Sequence, residues 1–200
     1  MPNIVVIGAS AGGMEAIRQI LWPLPADLQA AIFVVVHLSP AAPSKLPTIL
    51  NRAGPLTAVA AVDGAPIQPS RVYVAPPDHH MLIEPGYIRL TRGPHENWLR
   101  PAIDPLFRTA ARAYRSRVLG IVLSGMLGDG TAGLESVKSE GGKAIVQDPK
   151  EAQFGSMPLR ALRAVSVDFV LPAAEIGQKL LALVQEPWKD TVPARGRDVA

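Results

Sequence analysis

The 200-residue chain contains no cysteine, which excludes disulfide staples, a thiolate nucleophile and cysteine metal ligands, and is compatible with a reducing compartment. Aromatic residues make up only 5% of the chain and accompany no recognised nucleic-acid-binding motif, so no nucleic-acid partner is expected. Charged residues are sparse as well, at 18% against 48% hydrophobic, a balance that suits a folded α/β domain rather than a disordered chain. No apolar run reaches the ~18 residues of a membrane helix. The opening MPNIVVIGAS enters a strand pattern with no basic leader region, so direct membrane insertion is not expected and a soluble, cytoplasmic protein is. Residues 1–185 are expected to form one folded unit, and 186–200, which lack apolar periodicity, a flexible tail.

What is present is a regular alternation. IVVIG (4–8), a helical pattern over 12–21, AIFVVV (31–36) and a helical pattern over 45–52 give a βαβα rhythm. That rhythm predicts an α/β fold with a doubly wound, mainly parallel sheet covered by helices on both faces. After RVYVAPP (71–77), the segment HMLIEPGYIRLTR sets Pro85-Gly86 between two alternating runs, which predicts an inserted antiparallel hairpin. Asp104-Pro105 reads as the N-cap and first residue of a helix burying Phe107, Ala110, Ala111 and Tyr114. GIVLSG (120–125), a helix over 131–140, KAIVQD (143–148), VDFVL (167–171) and a helix over 173–184 complete the pattern. Arg108, Arg112 and Arg115 recur at helical spacing in a chain of net charge +3, either as a solvated face or as a docking face for an acidic partner.

Three strand ends carry chemistry. In NIVVIGASAGGMEAI the first strand breaks into glycines around Ser10, a turn that can cradle a phosphate or mount a nucleophile. The spacing is G-x-x-x-G-G, not the dinucleotide G-x-G-x-x-G, and the next strand ends in His37 where a ribose-binding acid is required. A third strand breaks around Asp129 in SGMLGDGTAGL (124–134). Each residue alone has a plain reading, Ser10 and Asp129 as helix caps or turn residues and His37 as a rim histidine. Together, at neighbouring strand ends, they supply the nucleophile, general base and orienting carboxylate of an acyl-transfer triad. The chain order Ser, His, Asp and the absence of G-x-S-x-G set it apart from the α/β-hydrolases. His79 and His80, beside Asp78, point to opposite faces of a strand and read as structural rather than metal ligands. Met14 and Met157 read as packing residues, and the proposed chemistry calls for no cofactor or metal.

The segments GASAGGMEAI, FVVVHLSP, YVAPPDHHMLI, RPAIDPLFRTAA, VLSGMLGDGTAGL and QDPKEAQFGSMP, in this order, resemble the catalytic domain of the CheB family of chemotaxis receptor protein-glutamate methylesterases over residues 3–185. The resemblance implies Ser10 as nucleophile, His37 as general base and acid, Asp129 as the orienting carboxylate, and the Met126 backbone amide as an oxyanion donor. It further implies hydrolysis of γ-glutamyl methyl esters on the cytoplasmic helices of a chemoreceptor, with methanol released, and deamidation of receptor glutamines. Ala11 stands where well-known members have threonine after the serine, and GMLGDG has leucine and glycine where the family commonly shows glycine and asparagine. Typical members also carry an amino-terminal receiver domain, so regulation here is expected from a separate receiver or regulatory protein. An esterase or amidase of another substrate, and a catalytically idle receptor-binding module, are the alternatives.

Overall fold

The structure, a computed structural model, describes residues 3–37 and 44–186. Strand β1 (Asn3–Ala9) is apolar on both faces and takes the centre of a sheet, followed by α1 (Gly13–Leu21), β2 (Ala30–Val36), α2 (Leu46–Leu50), β3 (Thr57–Ala60) and β4 (Arg71–Val74). The second half supplies α3 (Ile103–Tyr114), β7 (Val118–Val122), α4 (Thr131–Ser139), β8 (Lys143–Gln147), α5 (Ser156–Ala164), β9 (Phe169–Leu171) and α6 (Ala173–Gln185). Between the halves, β5 (His80–Glu84) and β6 (Tyr87–Thr91) pair antiparallel around Pro85-Gly86 as the predicted hairpin.

Seven strands lie in the order β3-β4-β2-β1-β7-β8-β9, and every neighbouring pair is parallel. The chain leaves β1 toward β2 on one side and later returns to β7 on the other, so the direction of winding reverses at β1. The crevice above the carboxyl ends of β2, β1 and β7 is the place where such sheets bind ligands.

Alternation along the strands divides the core. Val5, Ile7 and Ala9 face Ile17, Ile20, Ile176 and Leu180 on one side of the sheet. Ile4 and Val6, with Phe33 of β2 beside Val6, face Ile103, Phe107, Leu134 and Met157 on the other. The hairpin is tied to α3 by Ile83 N donating to Thr109 Oγ1 (3.0 Å) and Gly86 N donating to the Tyr114 hydroxyl (2.9 Å).

Two elements go beyond the sequence reading. The edge strand β3 has only four residues, too few to show a period, and α5 begins Ser-Met-Pro, with a proline that reads as a breaker but sits in the first turn, where its missing N–H has no helical partner to lose. The start of α3 is a correction. Its N-cap is Ala102 and the helix is already under way at Ile103, so Asp104 is the second helical residue and does not cap its own helix. Residues 187–200, most of the predicted tail, lie outside the described residues.

Helices α3 and α4 are in close contact at Gly133, where a Cβ would lie 2.6 Å from the Phe107 Cβ and 3.0 Å from the Asp104 Cα. Because the second obstacle is backbone, Gly133→Ala is expected to destabilise the fold by about 1–3 kcal/mol, read as a lowered urea midpoint. An unchanged midpoint would mean that the two helices separate freely.

Candidate active site

β1 ends at Ala9 and α1 begins at Gly13, with Gly12 as its N-cap at φ 74°, a left-handed value that glycine adopts without Cβ strain. Ser10 is therefore not the cap of α1. Its amide donates to Ser124 O (2.9 Å), its carbonyl accepts from Gly13 N (3.0 Å), and its hydroxyl has no hydrogen-bond partner among the described residues. Ser124, fully buried, holds the turn from behind: Oγ donates to Ala11 O (2.8 Å) and accepts from Phe154 N (3.0 Å), while its amide donates to Gln147 Oε1 (2.8 Å). Gly125 passes directly beside Ser10, since a Cβ there would lie 2.8 Å from the Ser10 Cβ.

His37 follows β2. Ala9 and Val36 are register partners, and His37 N donates to Ala9 O (3.2 Å), so Ser10 and His37 leave the sheet side by side from strands ~4.8 Å apart. His37 Nε2 meets Asp129 Oδ2 at 2.8 Å. An ionised carboxylate only accepts, so Nε2 carries the proton and Nδ1 is left as the basic nitrogen.

Asp129 lies one residue before Gly130, the N-cap of α4, yet its side chain leaves that helix and reaches another. Besides His37 it accepts from Ile103 N (2.6 Å), Asp104 N (3.2 Å) and Asn97 Nδ2 (2.8 Å). The first two are the opening amides of α3, whose N-cap Ala102 has no capping side chain. Asp104 returns the favour across the pair, with Oδ1 accepting from Gly133 N in α4 (2.7 Å) and Oδ2 from Asn97 Nδ2 (2.8 Å). Each aspartate thus caps the other's helix.

The two carboxyls are driven in opposite directions. Burial alone pushes Asp129 up, but the hydrogen bond from His37, that from the Ile103 amide, the His37 charge and the Asn97 amide together hold it below the ordinary carboxylate value. Asp104 is pushed up, first by burial and further by the negative charge of Asp129, with its hydrogen bonds only partly compensating.

Met126 carries a side chain that is 56% exposed, so any part in the chemistry falls to its backbone; neither its amide nor that of Ala11 donates to another described residue. His79 and His80 are held by backbone groups, and His95 is exposed. His80 is buried, with Nε2 donating to Pro94 O (2.9 Å) and Nδ1 accepting from Ala102 N (3.2 Å), and His79 Nδ1 contacts Pro77 O (3.0 Å). Asp78 accepts from Arg100 Nε (2.8 Å), and Arg108 is paired with Glu96 (2.9 Å), while Arg112 and Arg115 are exposed. Met157 is fully buried and Met14 packs on the core. The residues that sequence reading missed are Ser124, Asn97 and the second role of Asp104; Asn97 sits in HENWLRP, which carries none of the glycine signals of a turn.

Two outcomes follow from these contacts. A depressed folded-state pKa means that Asp129 adds stability in full above about pH 4, the unfolded value, and loses it as pH falls through the folded value. Asp104, raised, has the opposite sign and withdraws stability as pH climbs from about 4 through its folded value. Urea unfolding between pH 2 and 6 is expected to show an acid-labile component that Asp129→Asn lacks; an identical pH dependence in the variant would refute the assignment. Ser124→Ala leaves Phe154 N and Ala11 O without their partner in a partly buried site and is expected to cost about 1–2 kcal/mol, measured by the same unfolding assay.

The CheB methylesterase family profile matches residues 5–180. A Leptospira interrogans protein is 37% identical over 182 residues, covering 90% of this chain and 94% of that protein. A Methanosarcina mazei protein-glutamate methylesterase/protein-glutamine glutaminase is 34% identical over 191 residues, 92% of this chain but 52% of the relative, so the chain spans about half of that protein. The crystal structure of the Thermotoga maritima CheB methylesterase catalytic domain superposes with a TM-score of 0.88 at 35% identity, covering 92% of this chain and 99% of that one. With its parallel sheet, inserted hairpin and strand-end serine, histidine and aspartate, this chain belongs to the CheB methylesterase family.

Proposed function

We infer that this chain is a serine hydrolase of γ-glutamyl methyl esters on chemoreceptors, with Ser10, His37 and Asp129 as its catalytic groups. The observation that carries the residue assignment is the His37–Asp129 hydrogen bond of 2.8 Å beside the end of β1, where the Ser10 hydroxyl stands with no partner among the described residues. In this reading His37 Nδ1 takes the Ser10 proton as Oγ attacks the ester carbonyl, and the imidazolium so formed is stabilised by Asp129. Collapse of the tetrahedral intermediate breaks the C–O bond, and His37 returns its proton to the departing methanol. Water, deprotonated by the same nitrogen, then cleaves the acyl-enzyme to glutamate and restores the Ser10 hydroxyl. A glutamine side chain enters the same cycle with ammonia as leaving group, which accounts for the paired methylesterase and glutaminase names of relatives such as the Caulobacter vibrioides protein.

The oxyanion falls to the Ala11 and Met126 amides. Ser10's own amide is committed to Ser124 O, whereas these two donate to no described residue. Such donors contribute about 3–4 kcal/mol each where they have been removed singly. A backbone donor at Ala11 needs no hydroxyl, so alanine in place of threonine leaves this part of the site intact. No helix among the described residues is long and apolar enough to cross a membrane. We place the enzyme in the cytoplasm with the receptor's signalling helices, and its catalytic unit in residues 1–185.

Methanol release from a methylated chemoreceptor fragment tests this reading. Ser10→Ala is expected to reduce turnover to background and Asp129→Asn to lower kcat by about two to four powers of ten. A fluorophosphonate is expected to label Ser10 in the unaltered protein. Turnover that survives Ser10→Ala would sink the assignment, and labelling without methanol release would point to a different ester or amide.

A further inference from the structure

Residues 96–99 form a tight hairpin turn, with Leu99 N donating to Glu96 O (2.9 Å) and Glu96 N to Leu99 O (3.2 Å). Both central residues have positive φ, Asn97 at 52° and Trp98 at 65°. That is the type I′ pattern, in which asparagine is at home and tryptophan is strained. The Trp98 side chain is 95% exposed, so burial of the indole does not offset the strain of its backbone. The ends of the segment are nevertheless braced, by His80 to Pro94 O and Ala102 N, by Arg100 Nη1 to Gly93 O (2.9 Å) and by Arg108 to Glu96. What this braced and strained turn delivers is one amide group. Asn97 Nδ2 spends its two hydrogens on two carboxylates, Asp129 Oδ1 and Asp104 Oδ2, each at 2.8 Å.

We propose that Asn97 is a positioning residue for the Asp129 carboxylate, fixing its plane so that Oδ2 holds the His37 imidazole. This rests on the triad reading above. Oδ2 of Asp129 is shared between His37 and Ile103 N, while Oδ1 has the Asn97 amide and a longer bond of 3.2 Å from Asp104 N. Without Asn97, Oδ1 keeps only that longer bond and faces the Asp104 carboxyl with no donor between them. The carboxylate is then free to turn, and His37 loses the constraint on its orientation. Because Asn97 acts through Asp129, its loss affects the chemical step rather than substrate binding.

Two variants separate the donor from the space it fills. Asn97→Gly removes the amide at a backbone conformation that glycine accepts, and Asn97→Asp keeps the shape and the tolerance of positive φ but replaces the donor by an acceptor. Each would be assayed for methanol release from the methylated receptor fragment and for hydrolysis of p-nitrophenyl acetate, with urea unfolding as the check on folding. Asn97→Gly is expected to lower kcat about tenfold to a hundredfold on both substrates, the range of a hydrogen bond to a charged group, with KM nearly unchanged. Asn97→Asp is expected to lose at least as much, and Asn97→Gly to add less than about twofold on an Asp129→Asn background. Three results would each overturn the proposal: full activity in Asn97→Asp, an equal loss from Asn97→Gly with and without Asp129, or a rise in KM confined to the receptor fragment. Asp129→Asn supplies the separate control. If it leaves kcat unchanged the triad reading itself fails; if it lowers kcat while Asn97→Gly does not, only the role of Asn97 does.

Discussion

The site depends on keeping a carboxylate ionised where almost no water reaches it. Asp129 is 1% exposed, and burying such a charge costs several kcal/mol unless its lone pairs are satisfied. Four donors meet it, from His37, Ile103, Asp104 and Asn97. Two of these are the free amides at the positive end of α3, a helix that begins at Ile103 and has no cap of its own. The helix lacks an anion and the anion lacks donors, and each supplies the other. From that exchange follow the approach of α4 to α3 at Gly133, the reciprocal bond from Gly133 N to Asp104, and the protonation of His37 at Nε2.

The other half of the site is set by parallel pairing. Hydrogen bonds between β1 and its two neighbours continue past the strands proper, through His37 N to Ala9 O, Leu123 N to Gly8 O and Ser10 N to Ser124 O. The serine and the histidine are consequently placed by sheet register rather than by loops. Ser124 extends the same rigidity to the segment after β8, because one buried hydroxyl joins Ala11 O and Phe154 N. A side chain held this way loses little entropy on reaching a reactive geometry.

Most of this architecture was legible in the sequence because it rests on local signals. Continuous apolar runs marked β1, β2 and β7, Pro85-Gly86 marked the hairpin, and glycines marked the turns at Ser10 and Asp129. What was hidden depends on partners far along the chain. Asp104 before Pro105 has the local form of an N-cap, but α3 is capped by Asp129, which lets it start at Ile103 and leaves the Asp104 side chain for α4. Asn97 lies in a turn whose second central residue is tryptophan, against every local preference, and only the two carboxylates it bridges account for it. The α5 helix was masked by its own Gly155 and Pro158, which read as breakers although both stand at its start. At Asp104 and Asn97 tertiary contacts overrode the local pattern, whereas at α5 a first-turn proline is locally compatible with the helix.

Sharing one amide between Asp129 and Asp104 also divides the work between them. Asp129 faces the imidazole and has the larger set of donors, so it holds its charge; Asp104 has no imidazole, and burial together with its neighbour's charge pushes it toward the protonated form. Two close carboxyls driven apart in this way acquire distinct roles. When His37 takes up a proton, the new positive charge is stabilised chiefly by Asp129 at 2.8 Å, through a low-dielectric path that needs no water to reorganise. Any negative charge on Asp104 adds to that stabilisation from one carboxyl further away, and the imidazolium in turn favours it, against the burial and the Asp129 charge that push Asp104 up. Asn97 joins the two carboxyls: its amide donates to one oxygen of each, which holds the Asp129 plane toward the histidine. The backbone strain at Trp98 is therefore tied to the charge balance of the candidate active site, since the turn that strains Trp98 is the one that puts the Asn97 amide between the two carboxyls.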